Sequence, residues 1–403
     1  MKDQPTIFIA GSGGIGRAVA LLLREIHAEE TSGCRIILGD RSREQTEEAR
    51  RWILDGSRCD GDVKVVVMPE DLPTDGMASE ELERSYREAD IILDCLPGSL
   101  AVRLCDAALR YDSHYANVTE YVDQTREICK KARHAETGFL LQTGLAPGYI
   151  NILGIKLLDT LCTHHDVDQI ERLILRVGAL TQHAEPPHYY GFTWSPVGVA
   201  TEYIMPATTL RCGRKTELKA LTEREPVVIG GITYEEALTS GGVANLCDFL
   251  KGKVVHLDYK TLRYPGHFAW IESKLESCPP GIDRTEFLQK AMEQVIAHYS
   301  DDVVVIYASV SGKDGKGILR RMTAAKMIRP VKFGLRTLKA IQVTTAAALA
   351  ESARLLLTDR HRGVVQQSDI PMDSFLKGPF VSRAYGDAAD ATFDSEEIQE
   401  ITP

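Results

Sequence analysis

The densest chemical signal in the chain is Gly11-Ser12-Gly13-Gly14-Ile15-Gly16, which has the spacing G-x-G-x-x-G. It follows a short apolar run, Thr6–Ala10, and opens an apolar helical segment, Ile15–Ile26. That strand-to-helix context gives the motif its meaning: Gly11 allows a tight turn and Gly13 lets the backbone approach a pyrophosphate. Gly16 permits close packing of helix on strand, so that the helix N-terminus faces the phosphates. Gly14 and Ile15 lie within the same turn. Asp40 closes the next strand-like run, Cys34–Asp40, 24 positions beyond Gly16. A carboxylate there accepts hydrogen bonds from both ribose hydroxyls and repels a 2′-phosphate, which favours NAD over NADP. Arg41 and Arg43 keep NADP open, since either could meet a phosphate. Arg41 otherwise stacks on an adenine or faces solvent.

Further along, Cys95-Leu96-Pro97-Gly98 ends a fourth strand pattern, where loops at the carboxyl ends of parallel strands meet a ligand. Cys95, Leu96 and Pro97 therefore join the cofactor set, with Cys95 read as a packing residue rather than a nucleophile. Asp94 just before them reads as a turn-bonded carboxylate. Thr119 and Glu120 stand past the fifth strand in the corresponding place. Thr119 is assigned to the cofactor. Glu120 either takes a substrate proton or ammonium, or caps the following helix.

Hydride transfer needs the donor carbon held within about 3–3.5 Å of its acceptor and a group to take the substrate's proton. The second half of the chain offers Arg263, Tyr264 and His267 as its densest polar cluster. An arginine binds a carboxylate in bidentate fashion, so Arg263 is either a substrate anchor or one half of a structural ion pair. Alternation puts Arg263 and Thr261 on one strand face and Leu262 and Tyr264 on the other. His267 is a candidate proton acceptor near neutral pH, or a hydrogen-bonded loop residue. Trp194 and Ser195 either wall a cleft or, for the Trp, belong to the core. Pro147, Gly148 and Tyr149 start a helix whose free N–H groups suit an anion; an ordinary helix start explains Tyr149 equally well. The histidines at 164, 165, 183 and 188 lack a third ligand at convincing spacing, so no metal site is expected.

The elements that must position these residues alternate regularly over residues 1–144. Strand patterns at Thr6–Ala10, Cys34–Asp40, Val63–Met68, Ile91–Cys95, His114–Val118 and Phe139–Gln142 interleave with helical ones at Arg43–Leu54, Ser79–Arg87, Leu100–Arg110 and Asp123–Glu136. Fully apolar strands alternating with helices imply an α/β class fold, a Rossmann doubly wound parallel sheet covered on both faces. Residues 145–344 change rhythm, with long strands at Arg172–Ala179, Lys253–Tyr264 and Asp301–Ser311 and a helix at Glu286–Tyr299. They read as an α+β second domain with a mixed sheet. A helical run at Thr345–Leu357, followed by Gly363–Gln366, suggests that residues 345–380 return to the first domain. Residues 384–403 are acidic and read as a disordered tail.

The 403 residues carry 47 Lys plus Arg against 57 Asp plus Glu, a formal net charge of −10, which argues against nonspecific nucleic-acid binding. Nine cysteines are scattered without a C-x-x-C pair, as expected for a reducing cytoplasm. No apolar run approaches the roughly 20 residues needed to span a bilayer, and no signal-peptide pattern precedes the first strand.

Three further segments, Thr143-Gly144-Leu145-Ala146-Pro147-Gly148, Gly191-Phe192-Thr193-Trp194-Ser195-Pro196 and Lys260-Thr261-Leu262-Arg263-Tyr264-Pro265-Gly266-His267, join Asn117-Val118-Thr119-Glu120 in a telling order. Together they resemble the saccharopine dehydrogenase family over roughly Thr6 to Phe380, nearest the branch of lysine 6-dehydrogenase and saccharopine reductase. The resemblance implies oxidation or reductive formation of a C–N bond at an amino-acid or polyamine carbon, in lysine and amino-acid metabolism, by a homodimer whose second domain, residues 145–344, supplies substrate contacts and the dimer surface. Where saccharopine reductases often read G-L-D-P-G, this chain has Ala146, which shifts the expectation toward lysine or a related diamino acid. A saccharopine-type or carboxy(nor)spermidine-type dehydrogenase is the nearest rival, favoured by a second arginine such as Arg211 or Arg214 near Arg263. A non-catalytic NAD-binding sensor is the rival from another class.

Overall fold

A computed structural model describes residues 4–30, 33–70, 72, 79–359, 361–386 and 396–397. The chain divides into two units: Met1–Tyr149, Val331–Leu338 and Gln342–Gly386 form the first, and Ile150–Pro330, Lys339–Ile341 and Asp387–Pro403 the second.

The first unit begins with β1 (Thr6–Ala10), α1 (Gly14–Glu30), β2 (Arg35–Asp40), α2 (Arg43–Gly56), β3 (Val63–Val67) and α3 (Glu80–Glu88). It continues with β4 (Ile91–Asp94), α4 (Ala101–Arg110), β5 (His114–Asn117), α5 (Val122–Lys131) and β6 (Gly138–Leu140). Val, Ile and Leu fill the strands because both sheet faces are covered; β1, for instance, is buried at every position. Ser42 and Ser79 start α2 and α3 by accepting from the Gln45 and Leu82 N–H groups, which meets part of the helices' need for N-terminal acceptors. Helix α5 stops at Lys131 rather than running to residue 136. The chain turns there because Ala135 and Thr137 give their carbonyls to the Gly363 N–H. Most of the expected Pro69–Met77 loop lies outside the described residues.

The second unit follows with α6 (Tyr149–His165), whose first residue still belongs to the first unit, then β7 (Val167–Thr181), α7 (Pro196–Ile204), β8 (Ala207–Arg211) and β9 (Arg214–Leu218). Next come β10 (Glu225–Ile229), β11 (Ile232–Leu238), α8 (Leu246–Phe249), β12 (Val254–Arg263), α9 (His267–Glu276) and α10 (Arg284–Glu293). Strands β13 (Asp302–Asp314) and β14 (Leu319–Ile328) complete its core. Helix α10 ends at Glu293, short of the expected residue 299. Residues 297–299 leave the helix because their backbone pairs with Phe192, whose N–H donates to the Ala297 carbonyl at 2.9 Å and whose carbonyl accepts from Tyr299 at 2.9 Å.

After the small hairpin β15 (Val331–Phe333) and β16 (Arg336–Leu338), α11 (Ala340–Thr358), β17 (Gly363–Val365), α12 (Met372–Leu376) and α13 (Pro379–Tyr385) carry the chain through the first unit. Ala384 and Tyr385 are buried residues of α13, not part of a tail. Glu396 and Glu397 form a short strand, β18, beside Arg320 and Arg321 of β14, and the other residues beyond 386 lie outside the described ones.

The first sheet has seven strands in the order β17-β6-β5-β4-β1-β2-β3, and every pairing in it is parallel. The second has nine strands, with β10-β11-β12-β7-β13-β14-β18 as its main path and β8 and β9 paired beside β12. It is mixed: β12 and β7 run parallel, while β7 with β13 and β11 with β12 run antiparallel. This is an α/β fold with a doubly wound parallel sheet and a second sheet of mixed direction.

Candidate functional site: the glycine turn and the buried polar core

Gly11 has φ of 103°, and a Cβ on it would meet the Cys95 carbonyl oxygen at 2.8 Å. A Cβ on Gly16 would lie 1.8 Å from the Gly11 carbonyl oxygen. These two glycines are demanded by the protein's own packing. A Cβ on Gly13, by contrast, would meet no protein atom within 4 Å, and Gly13 is exposed. The space in front of Gly13 is open and lies beside the first turn of α1, which carries no acidic side chain. Ile15 is half-exposed in that turn. Gln342 of α11 donates from Nε2 to the Gly14 carbonyl at 3.4 Å, a contact that no local pattern in the sequence announces.

Asp40 ends β2 half-buried. Its Oδ2 accepts from the Ser12 N–H at 2.7 Å and the Ser12 hydroxyl at 2.8 Å, and its Oδ1 from the Arg41 N–H at 2.7 Å. The Arg41 guanidinium is exposed and pairs with Glu70 at 3.2 Å. Cys95 receives its place from a backbone bond to Ala10, and burial pushes its thiol up, which suits packing and not nucleophilic attack. Leu96 is half-buried against the sheet core. Pro97 leads a short 3-10 turn at Gly98. A Cβ on Gly98 would lie 2.2 Å from the Thr119 Oγ1, so the loops after β4 and β5 touch. Gly11, Cys95, Gly98 and Thr119 thus gather at the carboxyl ends of β1, β4 and β5, where nucleotide ligands bind in such sheets.

Glu120 follows directly. The cap position of α5 is held by Tyr121, not by Glu120. Burial raises the Glu120 carboxyl above its ordinary value. Asp94 lies beneath these loops, with Oδ1 accepting from the Leu96 N–H at 3.0 Å and Oδ2 from the Tyr115 hydroxyl at 2.7 Å. Its turn-bonded role matches its sequence position.

Ala146-Pro147-Gly148 forms a knot: Gly144 donates to the Pro147 carbonyl, and Tyr149 to the Gly144 carbonyl, each at 2.9 Å. Gly148 has φ of 130° and no room for a Cβ, so this turn too requires glycine. Tyr149 stacks on Tyr385 with ring centroids 3.7 Å apart, and burial raises its hydroxyl, so it is packed here as a first-unit core residue.

In the second unit Arg263 is enclosed. Its Nε donates to the Tyr203 hydroxyl at 2.6 Å and its Nη1 to the Leu262 carbonyl at 2.9 Å, while its Nη2 lies 3.8 Å from Glu202. The Tyr190 and Tyr203 rings flank it at 4.9 and 5.6 Å. His267, fully buried, shares a hydrogen bond between Nε2 and Tyr203 at 3.0 Å and another between Nδ1 and the His188 carbonyl at 2.7 Å. Burial and the Arg263 charge push it down to about 3, so the ring is neutral and both nitrogens are occupied. In this arrangement His267 orients Tyr203 rather than facing a substrate. Tyr264 packs on Tyr234 across the other sheet face, so it does not share a site with Arg263. Ser195 caps α7 by accepting from the Gly198 N–H, and Trp194 covers Gly198 and the core beside it. Glu202, Tyr203 and Tyr190 had no motif to mark them. Helix α7 brings Glu202 and Tyr203 to Arg263, and the chain before it brings Tyr190.

Among the described residues no group of three or more His, Cys, Asp or Glu side chains could hold a metal ion, and no helix is long and apolar enough to cross a membrane.

Comparison with known proteins places both halves. The family model described as the saccharopine dehydrogenase NADP binding domain matches residues 7–140, and that of the saccharopine dehydrogenase C-terminal domain matches residues 144–382. The alpha-aminoadipic semialdehyde synthase of Mus musculus is 23% identical over 168 residues, 41% of this chain and 17% of that protein. The Arabidopsis thaliana protein of the same name is 22% identical over 205 residues, 49% of this chain and 19% of its own. The chain therefore spans less than a fifth of these curated relatives. Among solved structures, the saccharopine dehydrogenase (L-Glu forming) of Saccharomyces cerevisiae matches with TM-score 0.72 at 14% identity, covering 98% of this chain and 100% of that one. The homospermidine synthase of Legionella pneumophila, solved with NAD, matches with TM-score 0.63 at 11% identity, covering 100% and 95%. These structural likenesses establish the fold.

Proposed function

The chain belongs to the saccharopine dehydrogenase family, and from that premise we propose an NAD-dependent oxidoreductase acting on the C–N bond of lysine or a related diamino acid. The observation that carries the cofactor half is the contrast among the three motif glycines. Gly11 and Gly16 are filled against by protein backbone, while Gly13 faces open space at a helix N-terminus. A glycine that the protein's own packing does not require, placed there, suits the close approach of a pyrophosphate. Asp40 favours NAD over NADP, although the family model carries NADP in its description.

A nicotinamide dinucleotide held through its pyrophosphate at this turn would supply the acceptor for the hydride that leaves the substrate carbon. The substrate nitrogen must then lose a proton, and Glu120, just past β5 with a carboxyl raised by burial, is assigned to take it. Water would then open the resulting C=N bond to a carbonyl, with the nitrogen leaving as ammonia. In the second unit Arg263 is buried and already held by Tyr203, the Leu262 carbonyl and Glu202, which makes it a structural ion-pair partner and not a substrate anchor. Arg211 is already spent on Glu223 and on Asp258 at 3.1 Å, and Asp258 lies on the opposite face of β12 from Arg263. That favours a small diamino acid over the larger, more anionic saccharopine or carboxyspermidine types. The nine free cysteines support a reducing, cytoplasmic setting, and a homodimer is the assembly proposed.

The experiment is a pair of substitutions. Gly13→Ala should melt at the wild-type temperature yet lose dinucleotide binding by at least about tenfold, whereas Gly16→Ala should fail to fold stably. Unchanged NAD affinity in Gly13→Ala would remove the pyrophosphate from this turn.

A further inference from the structure

We propose that Ser12 and Glu70 are specificity residues that set the site for a dinucleotide with an unphosphorylated adenosine ribose. The inference rests on the cofactor reading above and deepens it. Asp40 is the carboxylate that would meet the ribose, but what it offers depends on how it is held. An ionised carboxylate has about four acceptor positions, two on each oxygen. Oδ2 receives both the Ser12 N–H, at 2.7 Å, and the Ser12 hydroxyl, at 2.8 Å, and is filled. Oδ1 receives the Arg41 N–H at 2.7 Å and keeps one position. Asp40 is therefore fixed with one acceptor left for a ribose hydroxyl. Ser12 also gives its only hydroxyl proton to Asp40, so it has none to offer a phosphate oxygen. Ser12, between the first two motif glycines, acts through Asp40 as a positioning residue.

Glu70 works on the other side of the choice. A 2′-phosphate is best met by an arginine, whose guanidinium matches its oxygens in bidentate fashion. Arg41 follows Asp40 directly, and its Nη1 lies 3.2 Å from Glu70 Oε1. Glu70 thus diverts the guanidinium and adds a second carboxylate to repel the phosphate. The side chains are 68% and 80% exposed, so this pair is screened by solvent and its effect is the smaller of the two.

The test is equilibrium binding of NADH and NADPH, followed by nicotinamide fluorescence, to the full chain and to Ser12→Ala, Ser12→Thr and Glu70→Gln, with melting curves for each. Wild type is expected to favour NADH. Ser12→Ala should narrow that preference about tenfold, mostly by weakening NADH, at an unchanged melting temperature. Ser12→Thr, which keeps the hydroxyl, should restore it. Glu70→Gln should strengthen NADPH about twofold, with the gain vanishing at high salt. A wild type that favours NADH with the same selectivity in Ser12→Ala and Glu70→Gln overturns this inference and leaves the cofactor reading standing. A preference for NADPH overturns it as well. A wild type that binds neither dinucleotide overturns both together.

Discussion

Asp94 shows how a single buried side chain ties stability to pH. It is 3% exposed at the end of β4, held by the Tyr115 hydroxyl and the Leu96 N–H rather than by a cation. Burial pushes its carboxyl from the ordinary 3.8 up to about 6. The folded state therefore holds a proton there between those values while the unfolded chain has lost it. Stability from this group is complete below the unfolded value, falls as pH rises through the interval, and is lost above about 6, a cost of roughly 3 kcal/mol. Asp94→Asn should flatten that part of the profile: urea midpoints at pH 4.5 and pH 7 should lie closer together than in wild type. An equal pH dependence in both proteins would contradict the assignment. At this scale the sequence was informative where a motif marks a turn, as at Gly11, Gly16, Asp40 and Asp94. It was less so where chemistry depends on partners distant in the chain. His267 and Arg263 stand close in sequence, but only the fold reveals Tyr203 between them and Glu202 beside them.

At the scale of elements, the strands of the first sheet were legible because most are short, largely apolar runs between turn residues, although β3 carries Lys64 and β5 carries His114 and Asn117. Strands β8 to β11 were not. Lys215, Glu217 and Glu225 are exposed on them, so their composition resembles loop, and pairing within the second sheet decides their conformation. Helix α11 illustrates a third case. Its apolar sequence is plain, but its start is set from afar: Asp302, at the head of β13, accepts the Ala340 N–H at 2.6 Å and the Ile341 N–H at 2.9 Å. A carboxylate placed on two N–H groups of a first turn acts as a helix cap supplied by another element. Asp302→Ala should cost about 1–3 kcal/mol in chemical denaturation, since two buried donors lose their acceptor. Loss of less than a few tenths would mean that the helix start finds other acceptors.

For the whole molecule, the chain returns after residue 330 to complete the first unit. Gln342 reaches the glycine turn, Gln367 donates to the carbonyls of Leu141 and Gln142, and β17 extends the sheet beside β6. The negative formal charge of −10 is consistent with a small-molecule enzyme and leaves substrate identity to local groups. The central claim is amine oxidation with NAD. Its most direct test is the near-ultraviolet absorbance of reduced nicotinamide, followed in purified protein supplied with NAD or NADP and a panel of lysine, ornithine, saccharopine and carboxyspermidine-like amines. NAD reduction by lysine or ornithine, faster than NADP reduction and lowered by at least about tenfold in Gly13→Ala at subsaturating NAD, is the expected result. Binding of NAD with no turnover of any amine in the panel would contradict it and favour a dinucleotide sensor.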